Sequence, residues 1–434
     1  MLNKLHKYSR SVSIVGIGAT PFMDTIENPE YQGLTDSELF ATAALAAMED
    51  AGIEPRDVDF FYQGSANPRM FNACVTPNMQ YAEWLGMRGK ASVHHSEACC
   101  SGYVGLEEAV EAVASGAYDI VLTGGVEMAL GIPDGKKPAH FRKPCTTDVI
   151  IPDLDNIYER NYSRYLGGPA GIIYDDWMNY YQMQNHLTDE QIDEMLNVTA
   201  YNGRRAAVLN PLALMRESYD DIAKDVGFEN PMDYLKSQFN PKMTQYLRVS
   251  GNAPSADGAA CLIICPTEMA YKFKQKPIEV LGIGAAALDS SVPHLEMKAT
   301  KAAAEQVYEM TGVKPEELDL YMCNDFFITS QMLSAEIVGY LPEGEGWKYA
   351  TEGRTAFDGD KPINTNGGRC SYGHAMGASG IADLYEAVLQ MRGHAGERQV
   401  KKLPKTSFIR GFGGSQNVRT IILRTAEGGG NNEN

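Results

Sequence analysis

A chain of 434 residues is too long for one small hydrophobic core and implies two or three domains or a duplicated fold. Its 44% hydrophobic and 22% charged residues are ordinary for a globular enzyme, and a net charge of −18 argues against nucleic acid and anionic membrane as partners. Eight cysteines at irregular spacing, none in a paired zinc pattern, read as reduced intracellular thiols. With no signal peptide and no run long enough to cross a bilayer evident, the reading is a cytoplasmic protein that holds no metal.

In chain order, Ser13 to Thr20 reads as a buried strand ending in a glycine turn. Thr35 starts a helix whose apolar positions run through Leu39, Ala43, Ala46 and Ala47 to Ala51, and Gly52 ends it. Pro55 and a short acidic step lead to a strand from Val58 to Tyr62. The run Ala91 to His95 then enters Ser96-Glu97-Ala98-Cys99-Cys100-Ser101-Gly102-Tyr103, and a helical pattern from Val104 to Ser115 leaves it. A cysteine where a strand turns into a helix faces unpaired N–H groups and the positive end of the helix, which predicts a lowered thiol pKa. Two small core hydrophobes are the other reading of Cys99 and Cys100. From Met128 to about Arg248 the strand–helix rhythm breaks. Predicted helices there run from Tyr174 to Asn185 and from Glu190 to Leu209, the second opened by a capping box at Thr188-Asp189-Glu190-Gln191. An insertion of this size reads as a lid or binding element. Cys261 and Cys265 bracket a buried core strand.

The second part of the chain repeats the first. Glu279-Val280-Leu281-Gly282-Ile283-Gly284-Ala285 repeats the opening strand, and Gly312-Val313-Lys314-Pro315-Glu316-Glu317-Leu318-Asp319 repeats Gly52-Ile53-Glu54-Pro55-Arg56-Asp57-Val58-Asp59 at an offset of 260 residues (312 minus 52). Two copies of one alternating β/α unit predict two packed, mostly parallel sheets with helices. The repeat sets Cys99-Cys100-Ser101-Gly102 opposite His374-Ala375-Met376-Gly377, each before a helix, so that a thiol and an imidazole meet near a pseudo-twofold axis. That is the nucleophile-plus-base pairing of covalent catalysis. Glycine-rich strand ends, Thr123-Gly124-Gly125-Val126-Glu127 and Gly411-Phe412-Gly413-Gly414-Ser415, can offer N–H groups to a developing oxyanion. The predicted division is residues 1–127 with 249–270 as one half, 128–248 as the insertion, 271–427 as the other half, and 428–434 as a disordered tail.

Five motifs in order resemble the thiolase superfamily over nearly the whole chain. Glu97-Ala98-Cys99-Cys100-Ser101-Gly102 is similar to its nucleophile loop, and Gly373-His374-Ala375-Met376-Gly377-Ala378-Ser379-Gly380 to its catalytic-histidine motif. Asn324-Asp325-Phe326-Phe327 stands where thiolases carry Asn-Glu-Ala-Phe or, in the sterol-carrier-type branch, His-Asp-Cys-Phe. Asn252 to Ala260 resembles the segment beside the coenzyme A pantetheine, and Leu187-Thr188 through Asn210-Pro211 the loop region of sterol-carrier-type and archaeal members. The resemblance implies an α/β fold of duplicated βαβαβαββ halves in five αβαβα layers, with Cys99 as nucleophile and His374 as its base. It further implies an oxyanion site made by the N–H groups of Cys99 and Gly413, and Asn324 beside His374 at the enolate oxygen. Coenzyme A is then substrate and product, with no permanently bound cofactor, and Ser255 lies in its binding segment. A homodimer through the core sheets and a small zinc-finger/OB-fold partner subunit are implied as well. Within the family the resemblance extends to the benzoylsuccinyl-CoA thiolases, which implies cleavage of 2-benzoylsuccinyl-CoA to benzoyl-CoA and succinyl-CoA. An acetoacetyl-CoA-type or ketoacyl synthase-like condensing enzyme and a non-catalytic acyl-CoA-binding subunit stay open as alternatives.

The chain departs from the family in its second cysteine. Gly411-Phe412-Gly413 and Asn324-Asp325-Phe326 carry no thiol, which leaves the proton donor to the enolate unassigned; Cys323, Cys370, a water or His374 acting twice are the candidates. Arg204, Arg205 and Arg216 read equally as partners of coenzyme A phosphates or as a solvated helix face. Tyr158, Tyr162, Tyr165 and Tyr174 read either as an aromatic lining for an aryl acyl group or as packing of the insertion. His94 and His95 read as structural.

Overall fold

In a computed structural model of the chain, residues 8–25, 28–31, 33–66, 76–130, 169–287, 296–414 and 417–426 are described. The first half runs β1 (Val12–Ala19), α1 (Asp36–Ala51), β2 (Phe60–Gly64), α2 (Asn78–Trp84), β3 (Ala91–His95), α3 (Ser101–Ala114) and β4 (Val121–Met128). Helices α4 (Pro169–Asn185), α5 (Asp189–Val208), α6 (Tyr219–Asp225) and α7 (Pro231–Lys236) follow, and β5 (Asp257–Pro266) completes this half. The second half runs β6 (Ile278–Ala287), α8 (Lys298–Thr311), β7 (Leu320–Cys323), α9 (Ser330–Ile337), α10 (Gly346–Thr351), α11 (Gly368–Tyr372), α12 (Met376–Arg392), β8 (Thr406–Gly413) and β9 (Asn417–Thr425).

Local chemistry explains why the repeat folds twice. Thr35 caps α1 in a reciprocal box with Glu38, and Gly52 ends it in the left-handed conformation at φ 77°. Gly312 ends α8 the same way at φ 69°. Each glycine leads into a short 3₁₀ turn, Pro55–Asp57 or Pro315–Glu317, whose last carboxylate accepts the N–H of Glu54 or Lys314. Both opening strands carry a bulge at the same place, between Ile14 and Gly16 in β1 and between Val280 and Gly282 in β6. The next matched glycines let a helix lie directly on the strand: a Cβ on Gly18 would sit 2.2 Å from the carbonyl oxygen of Ala43, and one on Gly284 2.0 Å from that of Ala303.

The expectation of two mostly parallel sheets needs correcting. One nine-stranded sheet runs β3-β2-β4-β5-β1-β6-β9-β8-β7, with the halves joined where Val12–Ile14 pair antiparallel with Ile278–Val280. Among the described strands only β2–β3, β2–β4 and β7–β8 pair parallel, because β5 and β9 return antiparallel beside β4 and β8. The order is nearly palindromic about the β1–β6 junction. The counterpart of β3 is reduced to an isolated parallel bridge between Tyr321 and Ile363.

Side-chain alternation sorts the layers. Ile14, Leu262, Met322 and Ile409 point inward onto α3 and α12, where Leu106, Val110, Ile381, Leu384 and Val388 complete a central core. Val15, Leu122 and Ile263 face outward to α1, while Tyr321, Phe408 and Ile422 face outward to α8 and to the helices between β4 and β5. Helix, sheet half, paired helices, sheet half and helix give the five layers, and the central pair α3/α12 belongs to both halves.

Gly18→Ala and Gly284→Ala should each destabilise the fold by about 1–3 kcal/mol, because each forces a helix away from its strand. Urea unfolding midpoints would show it, and midpoints unchanged from wild type would contradict the close-packing argument.

Candidate active site

The nucleophile loop is a tight strand-to-helix elbow. Ala98 takes φ 48°, a left-handed conformation that non-glycine residues rarely adopt. The turn is held by Cys100 N–H donating to the Glu97 carbonyl (2.9 Å), Ser101 Oγ donating to the Ala98 carbonyl (2.7 Å), and Glu97 N–H donating to Ser101 Oγ (2.8 Å). Cys99 therefore stands just ahead of α3 with its side chain thrown clear of the helix. The sequence places two glycines where the halves touch. A Cβ on Gly102 would meet the Gly377 carbonyl oxygen at 2.6 Å, and one on Gly125 would meet it at 2.1 Å, so only glycine lets the two elbows approach this closely.

That approach brings Cys99 Sγ to 3.0 Å from His374 Nε2. With the thiol donating to Nε2, Nδ1 carries the ring proton and donates to Ser379 Oγ at 3.2 Å. His374 is buried, while Cys99 keeps part of its surface open. The expected low thiol pKa is corrected here. Desolvation pushes the Cys99 thiol up to about 12, against the opposing pull of the Arg369 guanidinium and with a further push from Glu127. Burial, reinforced by Arg369, holds the imidazole well below its ordinary pKa. The resting pair is a neutral thiol facing a neutral imidazole.

The surroundings of His374 tie three motifs together. The segment before β5 threads between the other two: Ala253 N–H donates to the Phe326 carbonyl, His374 N–H to the Pro254 carbonyl (2.9 Å), and Ala256 N–H to the His374 carbonyl (3.1 Å). Ser255 thus lies half-buried beside His374 in a parallel bridge. Phe326 sets its ring 5.0 Å from the imidazole. Asn324 is buried; its Nδ2 donates to the Phe412 carbonyl (3.1 Å) and its Oδ1 accepts from Phe326 N–H (3.0 Å), so its amide reaches the β8 end next to Gly413. Gly413 presses on the elbow itself, where a Cβ would come 2.5 Å from the Glu97 carbonyl oxygen.

Several contributors escape a sequence reading. Arg369 and Asp383, each 1% exposed, form a bidentate pair at 2.7 and 2.6 Å, and Tyr103 of α3 donates its hydroxyl to Asp383 at 2.8 Å. The Arg369 N–H donates to Asp325 at 2.7 Å. Glu127, buried at the end of β4, accepts the N–H groups of Ala66 (2.7 Å) and Gly377 (3.1 Å) and so bridges the halves. The signal available for Arg369 and Ser379 is position alone, five residues either side of His374. Charged side chains otherwise read as surface.

The remaining candidates fall elsewhere. Arg204 is buried and committed to Ser371, the Glu217 carbonyl and Tyr219, over whose ring it also stacks at 4.2 Å; it braces the histidine loop instead of presenting a charge to a phosphate. Arg205 pairs with Asp358, and Arg216 is exposed one residue beyond Met215, which bonds the Ser371 carbonyl. Cys323 and Cys370 are buried with Sγ atoms near Asn364 and the Asp325 carbonyl, both at 3.6 Å. Cys261 and Cys265 are core. His94 bonds Ser65 (3.0 Å) and His95 stacks on Tyr62, and burial lowers both pKa values. Tyr174 packs against Trp177 and Phe327. Tyr158, Tyr162, Tyr165, Cys74, Cys145 and the tail from 428 lie outside the described residues. No group of three or more His, Cys, Asp or Glu suited to a metal occurs among the described residues, and no helix there is long and apolar enough to cross a membrane.

Comparison with known proteins agrees with this geometry. The thiolase N-terminal domain model matches residues 12–156, and the thiolase C-terminal domain-like model matches residues 286–425. The chain is 29% identical over 419 residues to an acetyl-CoA acetyltransferase of Methanothermobacter thermautotrophicus, covering 94% of this chain and 98% of that one. It is 26% identical over 424 residues to the benzoylsuccinyl-CoA thiolase subunit BbsB of Thauera aromatica, covering 95% and 97%. The solved Ltp2-ChsH2(DUF35) aldolase superposes with a TM-score of 0.72 over 96% of this chain and 98% of that one, at 20% identity. With both thiolase halves matched in order around a Cys99–His374 pair, the chain belongs to the thiolase superfamily and is an acyltransferase of it.

Proposed function

We propose that the protein cleaves a 3-oxoacyl-CoA with coenzyme A through an acyl-enzyme on Cys99. The 3.0 Å contact between Sγ and Nε2 carries this reading. Cys99 attacks the keto carbonyl as its proton passes to His374, which is neutral at working pH and free to accept it. The N–H groups of Cys99 and Gly413 hold the tetrahedral oxyanion, a kind of contact worth roughly 2.7–4 kcal/mol. Asn324, bonded to Phe412 at the end of β8, is placed to hold the thioester oxygen as the enolate forms. Coenzyme A then takes the acyl group from Cys99.

The coenzyme enters past the Ser255 segment, with Arg216 as its phosphate partner and Arg204 shaping the wall behind. We assign the acyl group to the aryl class, cleaved as 2-benzoylsuccinyl-CoA to benzoyl-CoA and succinyl-CoA. The Phe326 ring against the dyad and the relative named as a benzoylsuccinyl-CoA thiolase subunit, alike over 95% of this chain, support it. The relative that is itself a subunit and the likeness to a DUF35-containing complex support a small partner subunit. A homodimer is supported by β3, which ends the sheet and leaves Ala91 and Val93 exposed beside exposed Met79 and Trp84 of α2. These assignments complete a cytoplasmic, metal-free thiolase with residues 128–248 as its binding insertion.

Incubation with 2-benzoylsuccinyl-CoA without free coenzyme A should add a benzoyl mass to the protein, and Cys99→Ala should abolish it. An adduct that persists in Cys99→Ala would refute the nucleophile. His374→Ala should lower kcat/KM by about 10²–10⁴ at unchanged fold; a loss under tenfold would refute the base. Free-enzyme alkylation of Cys99 by iodoacetamide should rise about tenfold per pH unit from 7 to 9 without a plateau, since a thiol raised to about 12 becomes thiolate only as pH climbs toward that value. A plateau near pH 7 would show a resting thiolate.

A further inference from the structure

Cleavage of a 3-oxoacyl-CoA leaves one proton to place. Sγ of Cys99 bonds to the keto carbon, the bond from that carbon to the α-carbon breaks, and the electron pair stays with the departing acyl-CoA as its enolate. The thiol has given up one proton, and the α-carbon needs one. Among the described residues, the side chains that could supply it are otherwise engaged. At Gly411 a Cβ would lie 1.9 Å from Cε2 of Tyr103, so the Tyr103 ring fills the space a side chain there would need. The Tyr103 hydroxyl is turned away and donates to Asp383, within the buried Arg369 pair. Phe326 presents an apolar ring to the imidazole. Cys100 bonds the Asn417 carbonyl (3.4 Å), Cys370 the Asp325 carbonyl, and Cys323 lies against Asn364. Asp325 is held by Arg369 N–H and Gln331, and Glu127 by Ala66 and Gly377 N–H. Set against these engaged groups, His374 Nε2 stands at hydrogen-bond distance from the reacting sulfur and can hold a proton.

We infer, on the thiolase reading above, that His374 is the single proton carrier of both half-reactions. Nε2 takes the proton of the Cys99 thiol and delivers it to the α-carbon of the departing acyl-CoA, which leaves as the neutral thioester. In the second half, Nε2 takes the proton of the coenzyme A thiol as its sulfur attacks the acyl-enzyme, and returns it to Cys99 Sγ as the new thioester leaves. Each half begins and ends with a neutral imidazole, and no other acid or base is consumed. Ser379, holding Nδ1, is a positioning residue for both transfers.

The test is exchange of α-protons for deuterium, followed by proton NMR of acetyl-CoA and succinyl-CoA in D₂O. Wild type and Cys99→Ala should both exchange, and His374→Gln should slow exchange by at least about 100-fold. Exchange that survives in His374→Gln, or that disappears in Cys74→Ser or Cys145→Ser, would overturn the inference by revealing another base. Ser379→Ala, which leaves the ring in place, should slow Cys99 acylation and α-proton exchange by the same factor; unequal factors would also overturn it. Failure of wild type to acylate at Cys99 would instead remove the thiolase reading itself, and the mass of the protein reports that independently of exchange.

Discussion

One contact between two halves of the chain, Cys99 Sγ to His374 Nε2, is what the rest of the molecule serves. Neither half can make it alone. The thiol sits ahead of α3, the imidazole ahead of α12, and the two helices pack together between the sheet halves. Glycines at 102, 125 and 377 bring the elbows within backbone contact, and Glu127 of one half fixes the N–H of Gly377 in the other. The left-handed Ala98 is the local strain that aims the sulfur, held by three hydrogen bonds within the elbow.

Beneath this contact lies a buried charge network whose effect on the two partners differs in sign. Arg369 favours a thiolate on Cys99 and disfavours an imidazolium on His374. Desolvation outweighs it on Cys99 and acts together with it on His374, so the resting pair is neutral. The positive charge is retained next to Cys99 and His374, and a fixed charge in a dry site acts more strongly than it would in water. Its partner Asp383 also holds Tyr103, so the network links α3 to α12. A buried ion pair is weak evidence for stability on its own. Here its position between the two elbows gives it a role in their register.

Much of this was legible because the determinants are local and duplicated. Gly52 and Gly312 are left-handed helix ends that a residue with a side chain would strain, and Pro55 and Pro315 follow them for the same turn; such signals survive without knowledge of the fold. The pairing of Cys99 with His374 was legible only through the repeat. The missing counterpart of β3 was not, because the chain around Ile363 makes a single bridge with no run to announce it. Nor was the sheet's mixed character, which depends on where β5 and β9 return. The thiol pKa was misjudged because a helix-end argument ignores desolvation, and burial cannot be read one residue at a time. Arg204 and Arg369 illustrate the same limit: both look like surface charges in the sequence, and both are inside.

Acyl transfer to a sulfur that the two halves position together is the central proposal. A crystal structure of the trapped acyl-enzyme, obtained in the absence of free coenzyme A, tests it most directly. The acyl carbon should be bonded to Sγ of Cys99, its carbonyl oxygen within hydrogen-bond distance of the N–H groups of Cys99 and Gly413, and His374 Nε2 left facing the thioester. An acyl group on any other side chain, or a carbonyl oxygen turned away from Gly413 with His374 displaced, would contradict it.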